Sequence, residues 1–329
     1  MHGFPSGLLC FRNGRVRRSG YGRCFAYHVV LATHKILVLR PLSDNLPIST
    51  APWFALPDHA VIALEGPDAT AFAQAQFAND VVALAPGHWQ WNAWLTPKGR
   101  VIALFALLKL EQDRILLMLP DADASGLASQ LQRFVFRRKL KIAARDDLQA
   151  SGSFHQPGSA RNAQIGIDGD SIEIDYGDDN EGRTLRIAPA REWPEHADAR
   201  AHWKAFDLLH GLPRLPAEQR EQWTPQQLSL ERLQAFSVKK GCYPGQEIVA
   251  RTHFLGKAKR GLVLFEADTA IACGAEVSDA QRVIGSVVSS SDGDRRLALA
   301  VLPLERESTA LSTDDIGLRE IPLVDGLQR

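Results

Sequence analysis

Three apolar runs joined by short turns constrain the fold more than any other feature of this sequence. The runs WQWNAWLT, RVIALFALLKL and RILLMLP fill most of residues 89–120 and are separated by the turn signals PKG and EQD. Val, Ile, Leu and Trp favour strands, and strands joined by tight turns pair with their neighbours along the chain. We therefore predict an antiparallel meander in this part of the chain.

Helical patterns stand on both sides of this meander. The run HAVIALEG at residues 59–66 predicts a strand, and Asp68 is placed to cap the helix that follows it. A second helix is predicted after Asp121 or Asp123, before the strand KLKIAA at residues 139–144. Strands followed by a helix and a further strand favour an α+β fold over a doubly wound parallel sheet.

The second half of the chain changes pattern twice. Residues 146–195 are polar, with paired acids and the short alternating runs SIEIDY and RTLRIA, and we expect an exposed hairpin region there. The run HADARAHWKAFDLLHGL predicts a helix that carries Trp203 on an apolar face, where core packing is the default role, and ends near Gly211. After Lys259 short strands alternate with Gly and Asp turns, which predicts a small all-β C-terminal module.

Charge and cysteine content exclude several classes of protein. The 38 basic and 38 acidic residues leave no net charge, so attraction of the whole chain to nucleic acid is not indicated, and the basic strip RRKLK at residues 137–141 is interpreted as a solvated face. The four cysteines, at positions 10, 24, 242 and 273, have no CxxC spacing. We therefore expect neither a disulfide framework nor a metal site, and a reducing cytoplasm. No run of 18 apolar residues predicts a membrane span.

The first 50 residues differ from the rest, because they are rich in arginine and contain no acidic residue before Asp44. We interpret residues 1–50 as a basic extension that is poorly ordered or that follows a start codon assigned too early. Segments that are rich in arginine and poor in acids are also typical of mitochondrial transit peptides. The mitochondrial matrix is therefore the alternative to a cytoplasmic location.

The stretch SVKKGCYPGQEIVAR, residues 237–251, places one cysteine in a constrained loop. Cys242 follows Lys239 and Lys240, and positive charge near a cysteine favours the thiolate, which is the nucleophilic and metal-binding form. The alternative is that Cys242 is a small buried hydrophobic residue. Two lysines and a glycine-proline turn suit an exposed thiol better.

The residues around the cysteine predict a preorganised loop that leads into a helix. Gly241 and Gly245 allow positive backbone dihedrals, so the chain can turn tightly and expose amide groups to a ligand. Gln246 and Glu247 stand where they can cap the helix QEIVARTHF. Glu247 and Arg251 are four residues apart, and we interpret them as a helix pair that serves as scaffold.

Other motifs that carry chemistry are absent or weak. The sequence has no GxGxxG after a strand, no phosphate-binding loop, no HExxH and no GxSxG, so nucleotide-dependent and hydrolase functions lose their usual support. The histidines are scattered without metal-ligand spacing. We interpret TPKGR, residues 96–100, as a hairpin turn with basic flanks.

The motif KKGCYPGQEIVAR resembles the signature of the YgfZ-type folate-binding proteins. These proteins are similar in fold to the aminomethyltransferase (T protein, GcvT) of the glycine cleavage system. Further motifs follow in the order of that family: GPDATAFAQAQFANDV, TPKGR, FVFRRKLKI, HGLPRL, TPQQLSL and KAKRGL. The resemblance extends over residues 52–304.

This resemblance implies a GcvT-like ring of three sub-domains with antiparallel sheets. Two sub-domains would lie in residues 51–257, and residues 258–329 would form a small β-barrel. A reduced folate such as tetrahydrofolate would bind at the central opening. The implied role is assembly or repair of iron-sulfur clusters in support of radical methylthiotransferases that modify tRNA. The implied partners are iron-sulfur proteins or their assembly machinery, and we expect a monomer that does not bind tRNA directly.

The resemblance also implies which residues form the site. Cys242 falls on the motif cysteine, and Lys240 and Glu247 fall beside it as candidate catalytic residues. Its remaining companions, which the family places near the cofactor, are Gly241, Tyr243, Gly245 and Gln246.

Two aromatic positions are implied for folate. Trp203 falls on a tryptophan that the family associates with folate, and Gln226 or Gln227 is expected to add a polar group beside it. His59 stands where some members have a second tryptophan, and a histidine ring can also stack. Ser229 is a second departure, because members often have asparagine there.

Two function classes remain open at this point. In the first, the protein is an accessory factor whose Cys242 acts on a cluster or a partner; the alternative is a tetrahydrofolate-dependent one-carbon (aminomethyl) transferase. The transferase relatives lack this cysteine and depend on an aspartate and a lipoylated carrier, so the cysteine favours the accessory factor. Its thiolate can ligate iron, attack an activated one-carbon unit or exchange with another thiol, and the sequence does not rank these chemistries.

Overall fold

The computed structural model describes residues 53–256, 258–307 and 309–329. These residues form two five-stranded antiparallel sheets and a closed six-stranded barrel. Four α-helices and one short 3-10 helix connect them within the described ranges. The extension interpreted for residues 1–50 lies outside the described residues.

Elements are numbered in chain order. The strands are β1 (Phe54–Ala55), β2 (His59–Glu65), β3 (His88–Leu95), β4 (Val101–Lys109), β5 (Arg114–Pro120), β6 (Lys141–Ala144), β7 (Leu148–Ser153), β8 (Gly166–Asp168), β9 (Ser171–Asp175), β10 (Thr184–Pro189), β11 (Arg260–Ala267), β12 (Glu276–Ser278), β13 (Val283–Ser290), β14 (Arg296–Pro303), β15 (Leu311–Thr313) and β16 (Ile316–Ile321). The helices are α1 (Ala69–Gln76), α2 (Ala124–Gln132), α3 (Ala197–Leu209) and α4 (Gln246–Phe254), with the 3-10 helix at Ala217–Gln219.

The predicted meander is confirmed as the centre of the first sheet, whose strand order is β3-β4-β5-β2-β6. Helices α1 and α2 pack on this sheet through residues such as Phe72, Leu127 and Leu131, together with Phe77 directly after α1. The two helix starts differ. Asp123 caps α2 by accepting a hydrogen bond from the Gly126 amide at 3.0 Å.

The predicted side-chain cap of α1 is wrong. Asp68 occupies the position before α1 but makes no capping bond, because its carboxylate accepts the Lys139 amide at 2.6 Å instead. That bond fixes the loop before β6 against the start of α1. A long-range partner has displaced the local one that the sequence suggested.

The expectation of an exposed hairpin region at residues 146–195 is confirmed for the hairpins, β8–β9 and β9–β10, and wrong for the exposure. This part of the chain supplies β7 to β10, which build the second sheet with β1 in the order β1-β7-β10-β9-β8. Ala150, Ile174, Leu185 and Ile187 are buried. The alternating runs SIEIDY and RTLRIA are therefore strands with one buried face, and the polar loops between them concealed this pattern in the sequence.

Helix α3 and the barrel follow the sequence prediction. Trp203, Phe206 and Leu209 are buried on one side of α3, and the chain leaves the helix through Gly211 at φ +69°. Strand β11 pairs with both β14 and β16 and thereby closes the barrel. The α+β class with antiparallel sheets and a C-terminal barrel is confirmed. Within the described ranges, no helix combines the length and apolar character needed to cross a membrane.

Candidate functional site

The cysteine loop, Ser237–Gly245, leads directly into α4. Its cysteine, Cys242, is exposed and free. Lys240 and Tyr243, on either side of it, are each only 6% exposed. The loop therefore buries its flanking side chains while its thiol faces solvent, and the alternative of a buried packing cysteine is wrong.

Lys240 anchors this loop to the end of α1. Its ammonium donates to the carbonyl oxygens of Gln74 at 2.6 Å, Phe77 at 2.6 Å and Asn79 at 2.9 Å. A lysine has three donors, and all of them are used. Burial lowers the pKa of Lys240 from its ordinary 10.5 to about 8, whereas the negative charge of Asp80 favours the charged form. The geometry gives Lys240 an anchoring position.

Short-range bonds close the remainder of the loop. The Tyr243 hydroxyl donates to the Ser237 carbonyl at 3.1 Å, and the Gln246 amide donates to the Lys240 carbonyl at 3.1 Å. The Ser237 hydroxyl accepts the amides of Lys239 and Lys240 at 3.2 and 3.3 Å. Burial raises the pKa of Tyr243 to about 12, so its hydroxyl keeps its proton at neutral pH.

The two glycines of the loop have different environments. Gly245 has φ +80°, and a Cβ built on it would lie 2.6 Å from Gly99 Cα and 2.7 Å from the Thr96 carbonyl oxygen. A Cβ on Gly241 would meet no atom within 4 Å. Glycine at 245 thus allows the TPKGR turn to pack against the loop. That turn is a hairpin connection, as expected, and it is also a wall of the site.

Glu247 and Arg251 are both exposed on α4. Among the ion pairs of the described residues, none joins these two side chains, so the predicted helix pair is not formed. Gln226 donates to the Val249 carbonyl of α4 at 2.9 Å, and Gln227 accepts from Arg100 at 3.2 Å. Both glutamines support the helix and turn around the loop.

Trp203 lies in a second group, which we term the aromatic interior: Phe54, Phe154, Tyr176, Trp203 and Phe206. Trp203 is 1% exposed, with its ring centroid 5.8 Å from those of Phe54, Phe154 and Tyr176. Such packing suits a core, as the sequence alone suggested. A planar ligand that stacked on this indole would have to displace one of its neighbours.

Arg183 occupies the centre of the aromatic interior and was missed at the sequence level. Its guanidinium carbon lies 4.2 Å from the Trp203 ring centroid, 4.1 Å from that of Phe206 and 4.9 Å from that of Tyr176. Its charge is balanced by Asp207 at 2.7 Å. Asp207 also pairs with Arg214 at 3.0 Å, so a buried charge network adjoins the rings.

His59 joins the same group. Its ring centroid lies 6.5 Å from that of Trp203, and the side chain is buried. Burial, reinforced by the charges of Arg214 and Arg183, holds the pKa of His59 well below its ordinary 6.5, so the ring is neutral. Neither His59 ring nitrogen nor the Trp203 indole nitrogen has a hydrogen-bond partner within the described residues.

The predicted site residues therefore fall into two sets. Lys240, Tyr243 and Gln246 make the hydrogen bonds that hold the cysteine loop, Gly241, Cys242 and Gly245 lie between them, and Glu247 follows on α4. His59 and Trp203 contact each other in the aromatic interior. Sequence reasoning missed Asn79, whose side chain donates to the Gln234 carbonyl at 2.7 Å and ties the chain before the loop to the end of α1.

Comparison with known proteins identifies the class and then the family. No family model matches the chain. The solved structure of glycine cleavage system aminomethyltransferase T from Bartonella henselae is similar, with a TM-score of 0.64 over 84% of this chain and 86% of that one, at 20% identity. The chain therefore has the fold of this aminomethyltransferase, and that fold defines its structural class.

Curated relatives narrow this class. An uncharacterized protein of Haemophilus influenzae is 30% identical over 219 residues, 66% of this chain and 74% of the relative. Two proteins named tRNA-modifying protein YgfZ are also similar. The one from Vibrio vulnificus is 27% identical over 77% of this chain and 87% of its own length, and the one from Photobacterium profundum is 28% identical over 75% and 82%. The chain belongs to the YgfZ family.

Proposed function

We propose that this protein is a folate-binding factor of the cytoplasm that acts in assembly or repair of iron-sulfur clusters, with Cys242 as its reactive thiol. In this role it supports tRNA modification of the methylthiolation type. The observation that carries the proposal is the exposure of Cys242 between two buried and fully bonded neighbours. The YgfZ relatives are named for tRNA modification, which agrees with this role.

An exposed thiol favours chemistry on a group that a partner carries. A cysteine that only fills space is packed away, whereas this loop uses its hydrogen bonds to hold the sulfur at the surface. The thiolate would ligate iron of a partner's cluster or exchange with a partner's thiol. Iron-sulfur proteins and their assembly machinery are the partners that offer such groups.

The aromatic interior is the proposed folate region. A pterin is planar and has several ring nitrogens, and it needs aromatic walls with a few polar groups. Three buried nitrogen atoms, two on His59 and one on Trp203, lack hydrogen-bond partners among the described residues. A pterin could supply those hydrogen bonds. His59 and Trp203 would hold the folate, and a bound reduced folate would supply a carrier of one-carbon units. Entry requires that a side chain packed on Trp203 moves.

The thiol is tested in cells that lack this gene, supplied with the wild-type chain, Cys242→Ala or Cys273→Ala at matched protein levels. Cys273 is the other exposed free cysteine of the described residues and serves as the control. We expect wild type and Cys273→Ala to restore methylthiolated tRNA and a second iron-sulfur enzyme activity, and Cys242→Ala to restore neither. Full restoration by Cys242→Ala would reject the thiol role and favour the one-carbon transferase.

The folate region is tested by titrating purified protein with a reduced folate. Trp203→Phe keeps an aromatic ring but removes the indole donor, and Trp193→Phe is the control outside the aromatic interior. We expect the dissociation constant to rise about tenfold for Trp203→Phe, because a buried hydrogen bond contributes about 1.5 kcal/mol. An unchanged dissociation constant would return Trp203 to a purely structural role.

A further inference from the structure

The positive charges beside the cysteine loop lack acidic partners. The segment from the end of α2 to the start of β6, residues 133–141, contains five cations and no acidic residue: Arg133, Arg137, Arg138, Lys139 and Lys141. No ion pair of the described residues involves these five side chains, nor Lys98 of the TPKGR turn, nor Lys239 of the cysteine loop. Elsewhere on the described surface Arg145, Arg295 and Arg306 are paired, whereas Arg282 and Arg296 are unpaired but stand apart from such a run of cations, so the clustering of unpaired charge is what distinguishes this segment. The positive charge here is left for a partner.

Large apolar side chains are exposed among these cations. Phe136 is 74% exposed and Phe134 is 49% exposed, and the Arg137 guanidinium lies 5.1 Å from the Phe136 ring centroid. Ile248 on α4 is 39% exposed. Exposed aromatic and aliphatic side chains next to arginine are characteristic of the centres of protein interfaces.

A series of contacts runs from this segment to Lys240, the anchor of the cysteine loop. Phe134 packs edge-on against Trp94 at 6.1 Å between centroids, and Trp94 is bridged to Phe77. The Phe77 carbonyl holds the Lys240 ammonium. On the other side of the same hairpin, a Cβ on Gly99 would lie 2.9 Å from Ile248 Cβ. The two apolar groups thus flank the turn that packs against the cysteine loop.

We propose that this surface, defined as Phe134, Phe136, Arg137, Lys98, Lys239 and Ile248, docks an acidic, partly apolar segment of the protein on which Cys242 acts. This inference rests on the proposed function and names the chemistry of the partner. Unpaired cations select an acidic segment, and the exposed side chains supply the apolar contact. Glu247, which precedes Ile248 on α4, is also exposed and is left out of the surface because its charge is negative.

The observations favour a protein partner over RNA. Single-stranded nucleic acid is bound by aromatic stacking platforms along a continuous basic groove. Here the chain has no net charge, and one of the three apolar residues of this surface is an isoleucine, which offers no face for stacking on a base. An apolar contact ringed by charge is what a protein interface provides.

The test measures binding of a purified apo radical methylthiotransferase and, separately, of an anticodon stem-loop RNA. Two variants alter the surface: Phe136→Ser and the double charge reversal Arg137→Glu with Lys239→Glu. Their matched controls are Ile167→Ser, an exposed apolar residue on β8, and Arg296→Glu, an exposed cation on β14. Cys242→Ser separates binding from thiol chemistry.

We expect each surface variant to weaken binding of the apoenzyme about tenfold, as interface aromatic and arginine residues typically do, while the controls and Cys242→Ser bind as wild type. Binding should also weaken as salt is raised from about 0.05 M to about 0.5 M. If both surface variants bind the apoenzyme as tightly as wild type, the proposal is overturned. It is also overturned if the variants weaken binding of the RNA but not of the apoenzyme. If docking fails while Cys242→Ala still abolishes complementation, the proposed function stands without this surface. If the surface variants weaken binding of the apoenzyme while Cys242→Ala complements fully, the proposed thiol function is rejected and the docking surface is supported.

Discussion

The cysteine loop and the aromatic interior are built in opposite ways. In the loop, the side chains of Lys240, Tyr243 and Gln246 donate hydrogen bonds to backbone carbonyls, and Cys242 is exposed. In the aromatic interior the side chains are buried, yet polar atoms of His59 and Trp203 have no partners among the described residues.

This difference bears on function. A loop with satisfied hydrogen bonds holds one group in a fixed place, which suits reaction with a partner that arrives from outside. Buried polar atoms without partners are unfavourable in an empty core, so they suit a ligand that provides the missing bonds. The cysteine loop is therefore suited to presenting the Cys242 thiol to a partner, and the aromatic interior is suited to receiving a ligand.

The largest stability effect is expected in the aromatic interior, from Arg183→Met. Methionine keeps most of the volume but removes the ion pair with Asp207 and the bonds to the carbonyls of Tyr176 and Trp203, both at 3.1 Å. Removing one partner of a buried pair costs about 3–5 kcal/mol, which urea unfolding would measure. Arg191→Met, at an exposed arginine stacked on Trp193, is the control. A loss below about 1 kcal/mol would mean that the rings alone hold this region.

In the cysteine loop the largest effect is expected from Lys240→Met. Three carbonyl oxygens lose their donor, and leaving such groups unsatisfied costs about 3 kcal/mol in total. Lys239→Met, one residue earlier and exposed, should change the free energy of unfolding by less than about 0.5 kcal/mol. Complementation should fall with Lys240→Met although Cys242 is intact. If Lys240→Met and Lys239→Met have the same free energy of unfolding, Lys240 does not anchor the loop.

A smaller effect distinguishes the two glycines of the loop. Gly245→Ala places a Cβ against Gly99 and Thr96 at φ +80°, and such strain costs about 1–3 kcal/mol. Gly241→Ala has open space around it and should be neutral within about 0.5 kcal/mol. Thermal unfolding of both variants makes the comparison, and a destabilised Gly241→Ala would show that the loop is tighter at the thiol than its contacts indicate.

Prediction from the sequence succeeded where the signal is local. The meander between Trp89 and Pro120, helix α3 and the C-terminal barrel all follow from apolar periodicity and turn residues that lie within one segment. The motif around Cys242 likewise predicted a tight loop and a following helix. These features depend on neighbours along the chain.

Features that depend on distant partners could not be predicted in this way. Gly241 and Gly245 are equivalent in the sequence, and only the packing of the TPKGR turn separates them. Arg183 lies in a polar stretch, and its aromatic partners come largely from α3, so no local pattern marks it as buried. Asp68 is a good cap by sequence but finds the Lys139 amide instead.

The smallest effect concerns the protonation of His59. Its folded pKa is held below the ordinary 6.5, so at lower pH the unfolded chain binds a proton that the native ring does not. The stability contributed by the neutral ring is present above pH 6.5 and is lost as the pH falls below it, by up to about 1.4 kcal/mol for each pH unit.

His59→Phe should remove that dependence and keep an aromatic ring against Trp203. Between about pH 6.5 and 5.5 the wild-type chain should therefore lose up to about 1.4 kcal/mol more stability than the variant, as measured by urea unfolding at each pH. His253→Phe, at an exposed histidine of α4, is the control. If wild type and His59→Phe respond equally to acid, the imidazole is protonated at little cost. The aromatic interior would then offer a ligand a charged group, and the contrast with the cysteine loop would weaken.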